Sequence, residues 1–304
     1  MTQTKQATRS DAAVARRPAA GLPQRIGDWH PVSLAAEGEL ARVYRARPAG
    51  SPPDRPACYA VKVLRERWAD DPRAIRLMTS EAVAGRSVSH PHLISILAAS
   101  LSRQPRHLVM PWLTGATLRA HLDASRPMDL PTVLWIARQV CEALGALHDA
   151  GWLHGDVKPG NIFLSSEGHV TLLDLGFARR RDDVGSAVDR CVTGTCQYLA
   201  PEWITSAIRP DIRSDLYSLG AVLFETFAGR PPFSGNSLAA LAEQHRHAVP
   251  PDLRRLVPEL PSAVLRLVHQ MLAKDPMRRP QTPGEVADRL AELEIATFEW
   301  RAFG

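Results

Sequence analysis

The 304-residue chain reads as an α+β protein of two lobes, a small antiparallel sheet carrying one helix followed by a larger, mainly helical part. Three features predict this. Between Trp29 and Met110 the apolar residues recur mostly at strand spacing, with a single helical pattern among them. After Pro111 long helical patterns take over, and Asp215 to Phe227 is apolar almost all round, as a helix buried at the centre of a domain must be.

Residues 1–27, rich in Thr, Gln, Ala, Arg and Pro without period, read as a disordered N-terminal tail, so folding is expected to begin near Trp29. Strands are expected around Arg42 to Ala46, Cys58 to Leu64 and His107 to Met110. Between the second and third, Asp71 and Pro72 form a cap and first turn. Leu77, Glu81, Ala84 and Val88 then recur at steps of four, three and four, which puts one carboxylate on a largely apolar helix face. Pro131 opens a helix on which Val133, Ala137, Val140, Leu144 and Leu147 share a face, and Gly151 is placed to end it. Asn161 to Leu164 and Val170 to Leu173 flank Ser165-Ser166-Glu167-Gly168, a hairpin signature. The central helix stops at Gly229, and no solenoid or propeller repeat is present.

Composition narrows the function. A hydrophobic content of 45% suits a globular chain, and 37 Lys and Arg against 32 Asp and Glu leave a net charge of +5 with no basic block, so a nucleic-acid partner is not expected. The four cysteines, Cys58, Cys141, Cys191 and Cys196, lack C-x-x-C or zinc spacing and read as reduced thiols. No apolar run of 18 residues and no secretory signal appears; the expectation is a cytoplasmic protein without a membrane partner.

The informative string is His154-Gly155-Asp156-Val157-Lys158-Pro159-Gly160-Asn161, with Asp174-Leu175-Gly176 beginning 13 residues after Asn161. The hairpin between them brings Asp156, Lys158, Asn161 and Asp174 together. Phosphoryl transfer from ATP needs that set: a carboxylate to orient and deprotonate a hydroxyl, oxygen ligands for magnesium, and a cation on the moving phosphate. The string resembles the catalytic loop and metal-binding motif of the eukaryotic-type serine/threonine protein kinases, with Gly155 and Leu175 replacing the usual Arg and Phe. Ala60-Val61-Lys62 resembles that family's V-A-I-K, and Glu81 stands where its lysine partner stands. Gly194 to Glu202 resembles the end of the activation segment; by the same resemblance Asp215 matches the acid that anchors the catalytic loop, and Glu202 should pair with Arg279. The similarity covers roughly residues 28–295.

The resemblance implies a two-lobed kinase fold with an N-lobe over 28–110, a C-lobe over 111–295 and a C-terminal end at 296–304. It implies Asp156 as the base, Lys158 on the γ-phosphate, Thr195 contacting both, and Asn161 and Asp174 as magnesium ligands. Lys62, paired with Glu81, would hold the α- and β-phosphates. Gly38 would lie in the phosphate loop, Val43 and Ala60 above the adenine, Phe163 below it, Met110 as gatekeeper, and Pro111 and Leu113 in the hinge. The implied activity is transfer from ATP with Mg2+ to a serine or threonine of a protein substrate.

Three departures carry expectations. Ala36-Glu37-Gly38-Glu39-Leu40-Ala41-Arg42-Val43 keeps only the middle of three loop glycines, and alanine at a position of close approach or positive φ predicts weaker ATP binding. Gly155 in place of arginine predicts activity that depends little on phosphorylation of Ser186, Thr193 or Thr195. Gly85, one turn after Glu81 where relatives are bulkier, predicts a looser helix. Two alternatives stand beside the kinase reading: a pseudokinase acting as an interaction module, and a small-molecule kinase, against which the segment from Gly194 to Glu202 speaks.

Overall fold

The computed structural model describes residues 22–125, 128–182, 196–204 and 208–297. Ser186, Cys191, Thr193 and Thr195 lie outside the described residues.

In the first lobe, β1 (Trp29–Glu37), β2 (Ala41–Pro48) and β3 (Tyr59–Leu64) run antiparallel. Helix α1 (Pro72–Ser87) follows, and β4 (Ala98–Ser100) and β5 (His107–Pro111) complete a five-stranded sheet in the order β1-β2-β3-β5-β4. Alternation along β3 sorts its residues to two faces. Ala60 and Leu64 pack with Ala74, Met78 and Ala82 of α1, whereas Val61 packs on the other face with Tyr44, Ala46, Val109 and Ile26. Lys62 lies between Ala60 and Leu64 in that alternation, so the register directs it toward α1. Ile26 is only 2% exposed, so ordered packing starts three residues before the expected Trp29.

Helix α1 begins as its sequence dictates. The Asp71 carboxylate accepts hydrogen bonds from the backbone N–H groups of Arg73 and Ala74, and Pro72 needs no such partner. Its buried face comprises Ala74, Met78, Glu81, Ala82, Ala84 and Gly85, with Leu77 half-buried. Gly85 is not a loosening gap. An ideal Cβ there would lie 2.4 Å from Ile96 Cγ1, so glycine admits the Ile96 side chain against the helix, and the Ile96 N–H donates to the Gly85 carbonyl at 3.2 Å. The expected looseness is therefore corrected: the missing volume is supplied from the α1–β4 connection. That connection also joins the lobes, through hydrogen bonds from the Ile94 N–H to the Leu172 carbonyl and from the Leu172 N–H to the His92 carbonyl.

The second lobe opens with β6 (Gly115–Thr117), α2 (Leu118–Asp123) and α3 (Leu130–Asp149), then β7 (Trp152–Leu153). β8 (Ile162–Ser165) and β9 (Val170–Leu172) form the expected hairpin, β6 joins it in the order β6-β8-β9, and β10 (Arg179–Arg180) pairs with β7. Helices α4 (Ile212–Ala228), α5 (Leu238–His247), α6 (Leu253–Leu256), α7 (Ser262–Met271) and α8 (Pro283–Ala296) complete it. Val133, Ala137, Val140, Leu144 and Leu147 of α3 are all buried. Every residue of α4 from Ser214 to Glu225 is buried too, so the helix read as apolar all round is the central post.

Candidate active site

The site is assembled from the start of α4. Asp215, 1% exposed, accepts the His154 N–H at 2.8 Å and the Gly155 N–H at 2.7 Å, which hangs the loop from His154 to Asn161 on the most buried helix. Gly155 has φ +75°, a left-handed conformation that glycine takes without the Cβ clash an arginine would carry. His154 Nδ1 accepts the Asp156 N–H at 3.1 Å, so Nε2 carries the ring hydrogen and donates to the Leu173 carbonyl at 3.0 Å. One imidazole thereby spaces the loop from His154 to Asn161 from the strand leading to Asp174.

On this support the predicted polar residues converge. Lys158 Nζ lies 2.7 Å from Asp156 Oδ2, and Asn161 Nδ2 donates to the Asp156 carbonyl at 2.8 Å and to Asp156 Oδ2 at 2.9 Å. The Leu173 N–H donates to the Asn161 carbonyl at 2.7 Å, which sets Asp174 beside Asn161 in space. Asp174 has φ +62°, a conformation that costs a non-glycine residue about 1–2 kcal/mol and persists only where its surroundings enforce it. Its Oδ1 accepts the Gly176 N–H at 3.2 Å and lies 3.0 Å from Lys62 Nζ. The same ammonium lies 2.7 Å from Glu81 Oε2, so Lys62 bridges α1 and the strand after the hairpin.

Charge states follow from this packing. Burial pushes the Asp156 carboxyl up to about 6, against the pull of Lys158. Burial likewise pushes Glu81 up to about 7, with Lys62 working against it. For Asp174 burial also acts upward, but the Lys62 ammonium outweighs it and holds the carboxyl down to about 2. Burial disfavours the charge on Lys62; Asp174 and Glu81 outweigh that and keep it above its ordinary value. The two aspartates thus have well-separated proton affinities: Asp156 is poised to exchange a proton near neutrality, and Asp174 stays an anion.

A protein kinase domain model matches residues 31–289. The chain belongs to the protein kinase family. It is 35% identical over 275 residues to the serine/threonine-protein kinase PknB of Mycolicibacterium smegmatis, covering 87% of this chain and 43% of that protein. PknB of Mycobacterium tuberculosis is 36% identical over 244 residues, covering 77% and 38%, and PrkC of Bacillus subtilis is 32% identical over 249 residues, covering 79% and 38%. The chain spans less than half the length of these relatives.

Within the kinase fold the remaining residues fall as follows. Ala60 lies opposite Met110 across β3 and β5, and Val43 and Leu113 are half-buried against the same apolar cluster. Phe163 stands on β8, half-buried, and belongs to none of the three apolar clusters among the described residues. Gly38 is in the β1–β2 connection. Neither alanine that replaces a loop glycine takes a positive φ. Ala36 and Ala41 are strand residues, and among the described residues only Ser125 and Asp174 combine a side chain with positive φ. Glu202, 3% exposed, makes the expected pair with Arg279, its oxygens 2.6 Å and 2.9 Å from the guanidinium nitrogens. Arg279 further donates to the carbonyls of Ala273, Arg213 and Lys274.

Two arrangements escaped the sequence reading. Ser80, next to Glu81, donates to the Ala178 carbonyl at 2.5 Å and so ties α1 to the chain just beyond Asp174-Leu175-Gly176. Arg119 of α2 and Tyr198 both bond Glu225 of α4, at 2.7 Å and 2.6 Å. Single polar residues on helix faces carry no period, so nothing in the sequence marked them.

Proposed function

We propose that this chain transfers the γ-phosphoryl group of ATP to serine or threonine hydroxyls of protein substrates, with Mg2+. The observation that carries the reading is Lys62 placed between Glu81 and Asp174 while Asp156, Lys158 and Asn161 stand hydrogen-bonded on the adjoining loop. A chain that kept the fold without the chemistry would have no need to hold Asp174 at positive φ. This argues against the pseudokinase reading.

The donor set fits magnesium. Asn161 directs its NH2 at Asp156, which turns its carbonyl oxygen away from that residue, and Asp174 is an anion, so two hard oxygen ligands stand on neighbouring segments. Among the described residues no three His, Cys, Asp or Glu side chains group to hold a metal by themselves, so phosphate oxygens would complete the shell. Bound there, magnesium neutralises charge on the phosphates.

The protein groups then divide the work. Lys62 offers its ammonium to the α- and β-phosphates, held in place by Glu81. Asp156 orients the acceptor hydroxyl and takes its proton, and Lys158 balances charge on the transferring group. Thr195 is assigned by resemblance to contact Asp156 and Lys158. Ala60, Val43, Met110, Leu113 and Phe163 enclose adenine, and Pro111, which lacks an N–H, offers its carbonyl. Among the described residues no helix is long and apolar enough to cross a membrane. A cytoplasmic location suits the reduced thiols of Cys58 and Cys141. The test is magnesium-dependent phosphate incorporation from γ-labelled ATP into a protein acceptor. Wild type labels the acceptor and Asp156→Asn does not; labelling by neither leaves the pseudokinase.

A further inference from the structure

The β1–β2 connection, which has lost two of its three expected glycines, is gripped from outside. The chain after β3 makes a 3-10 turn, Glu66–Trp68, and supplies donors to three consecutive carbonyls of the connection. Arg65 Nη1 donates to the Gly38 carbonyl at 3.0 Å. Arg67 Nη2 and Trp68 Nε1 both donate to the Glu39 carbonyl, at 3.1 Å and 3.0 Å, filling both its lone pairs. The Arg65 N–H donates to the Leu40 carbonyl at 2.9 Å. The Arg67 guanidinium lies over the Trp68 ring, 5.5 Å from its centroid, which aligns the two donors. Glu37 adds a carboxylate to this loop, where a triphosphate would be repelled; it lies 2.9 Å from Arg42 and 3.4 Å from Arg65.

We infer that Arg65, Arg67 and Trp68 position the phosphate loop of this kinase, a role that rests on the ATP-binding reading proposed above. In a trans peptide the N–H points opposite the preceding C=O. Holding the Gly38 and Glu39 carbonyls toward the 3-10 turn therefore turns the N–H groups of Glu39 and Leu40 the other way, as a paired donor set for phosphate. Three glycines leave such a loop free to sample many shapes; here alanines at 36 and 41 narrow the choice and the clamp selects one. The loop gives up adaptability for preorganisation.

The experiment measures the affinity of the chain for ATP with magnesium and, separately, for adenosine, in wild type and in the Arg67→Met, Trp68→Phe double variant. The clamp acts on phosphates alone, so ATP affinity falls about tenfold, in keeping with the loss of two hydrogen bonds, while adenosine affinity stays unchanged. The single variant Arg67→Met, at an exposed position, gives a smaller loss in the same direction and serves should the double variant fail to fold. Equal ATP affinity in wild type and variants overturns the clamp, as does a parallel loss for ATP and adenosine. Wild type that binds neither ligand overturns the ATP-binding reading itself, and the clamp falls with it.

Discussion

Substituting Gly85 by alanine tests how α1 is seated. The added Cβ would lie 2.4 Å from Ile96 Cγ1 and 3.4 Å from Ile96 Cβ, whereas carbon atoms rest at about 3.5–4.0 Å, so roughly 1 Å of displacement is required. Ile96 cannot easily supply it: it is buried, and its N–H is bonded to the Gly85 carbonyl. The gain in helix propensity is about 1 kcal/mol and overpacking costs about 1–3 kcal/mol, leaving a net loss of about 1 kcal/mol. Thermal unfolding should show that as a fall in Tm of roughly 2–4 °C for a domain of this size. The larger effect is on activity. Glu81 lies one turn earlier on the same helix, and a 2.7 Å contact to Lys62 does not survive a shift of that size. Misplacement on this scale lowers kcat/KM by about 10–100-fold. Ile96→Ala in the Gly85→Ala background removes the clashing atoms and should restore much of the activity while lowering Tm further. A Gly85→Ala variant with the Tm and turnover of wild type, or a double variant no more active than the single, would refute the packing argument.

Arg279→Ala should cost about 3–5 kcal/mol, since it leaves Glu202 charged and buried and strips donors from three carbonyls; the Tm should drop by roughly 10 °C, and a loss under about 1 kcal/mol contradicts the anchor. The acid limb of kcat/KM should lie near pH 6, because Asp156 must be ionised to accept a proton and burial has raised its pKa to about 6. Lys158→Met, which deletes the cation opposing that rise, should move the limb to higher pH; a shift the other way sinks the assignment. Ser80→Ala should lower kcat about fivefold through loss of the bond to the Ala178 carbonyl, and Ser80→Thr, which keeps the hydroxyl, should not; equal rates for both would show the contact to be idle.

The long helices were legible because their patterns ran over several turns: α3 showed the recurrence of Val133 to Leu147 on one face, and α4 the almost wholly apolar stretch after Asp215. The candidate site was legible because Asp156, Lys158, Asn161 and Asp174 sit close in sequence, with only a hairpin between. Among the strands of two or three residues, β9 was visible through its hairpin with β8, whereas β4, β6, β7 and β10 are shorter than any period and could not be seen. Gly85 shows the other limit. Read along the chain it is a missing side chain; in space it is the slot for Ile96, eleven positions on, and complementarity between distant segments leaves no local mark. The phosphate loop is similar. Its alanines were read against the backbone that the resemblance supplied, with close approach or positive φ, while the donors that hold the actual backbone come from Arg65, Arg67 and Trp68, whose sequence has no motif.

The most direct test pairs ATP titration, with and without magnesium, with a transfer assay on the same preparations. For wild type, magnesium should tighten ATP binding; Asp174→Asn should remove that gain and Lys62→Met should weaken binding in either condition. Asp156→Asn should bind ATP as wild type does and transfer nothing. Transfer by Asp156→Asn at the wild-type rate, or ATP binding indifferent to both Lys62 and Asp174, would contradict a triphosphate held between those side chains.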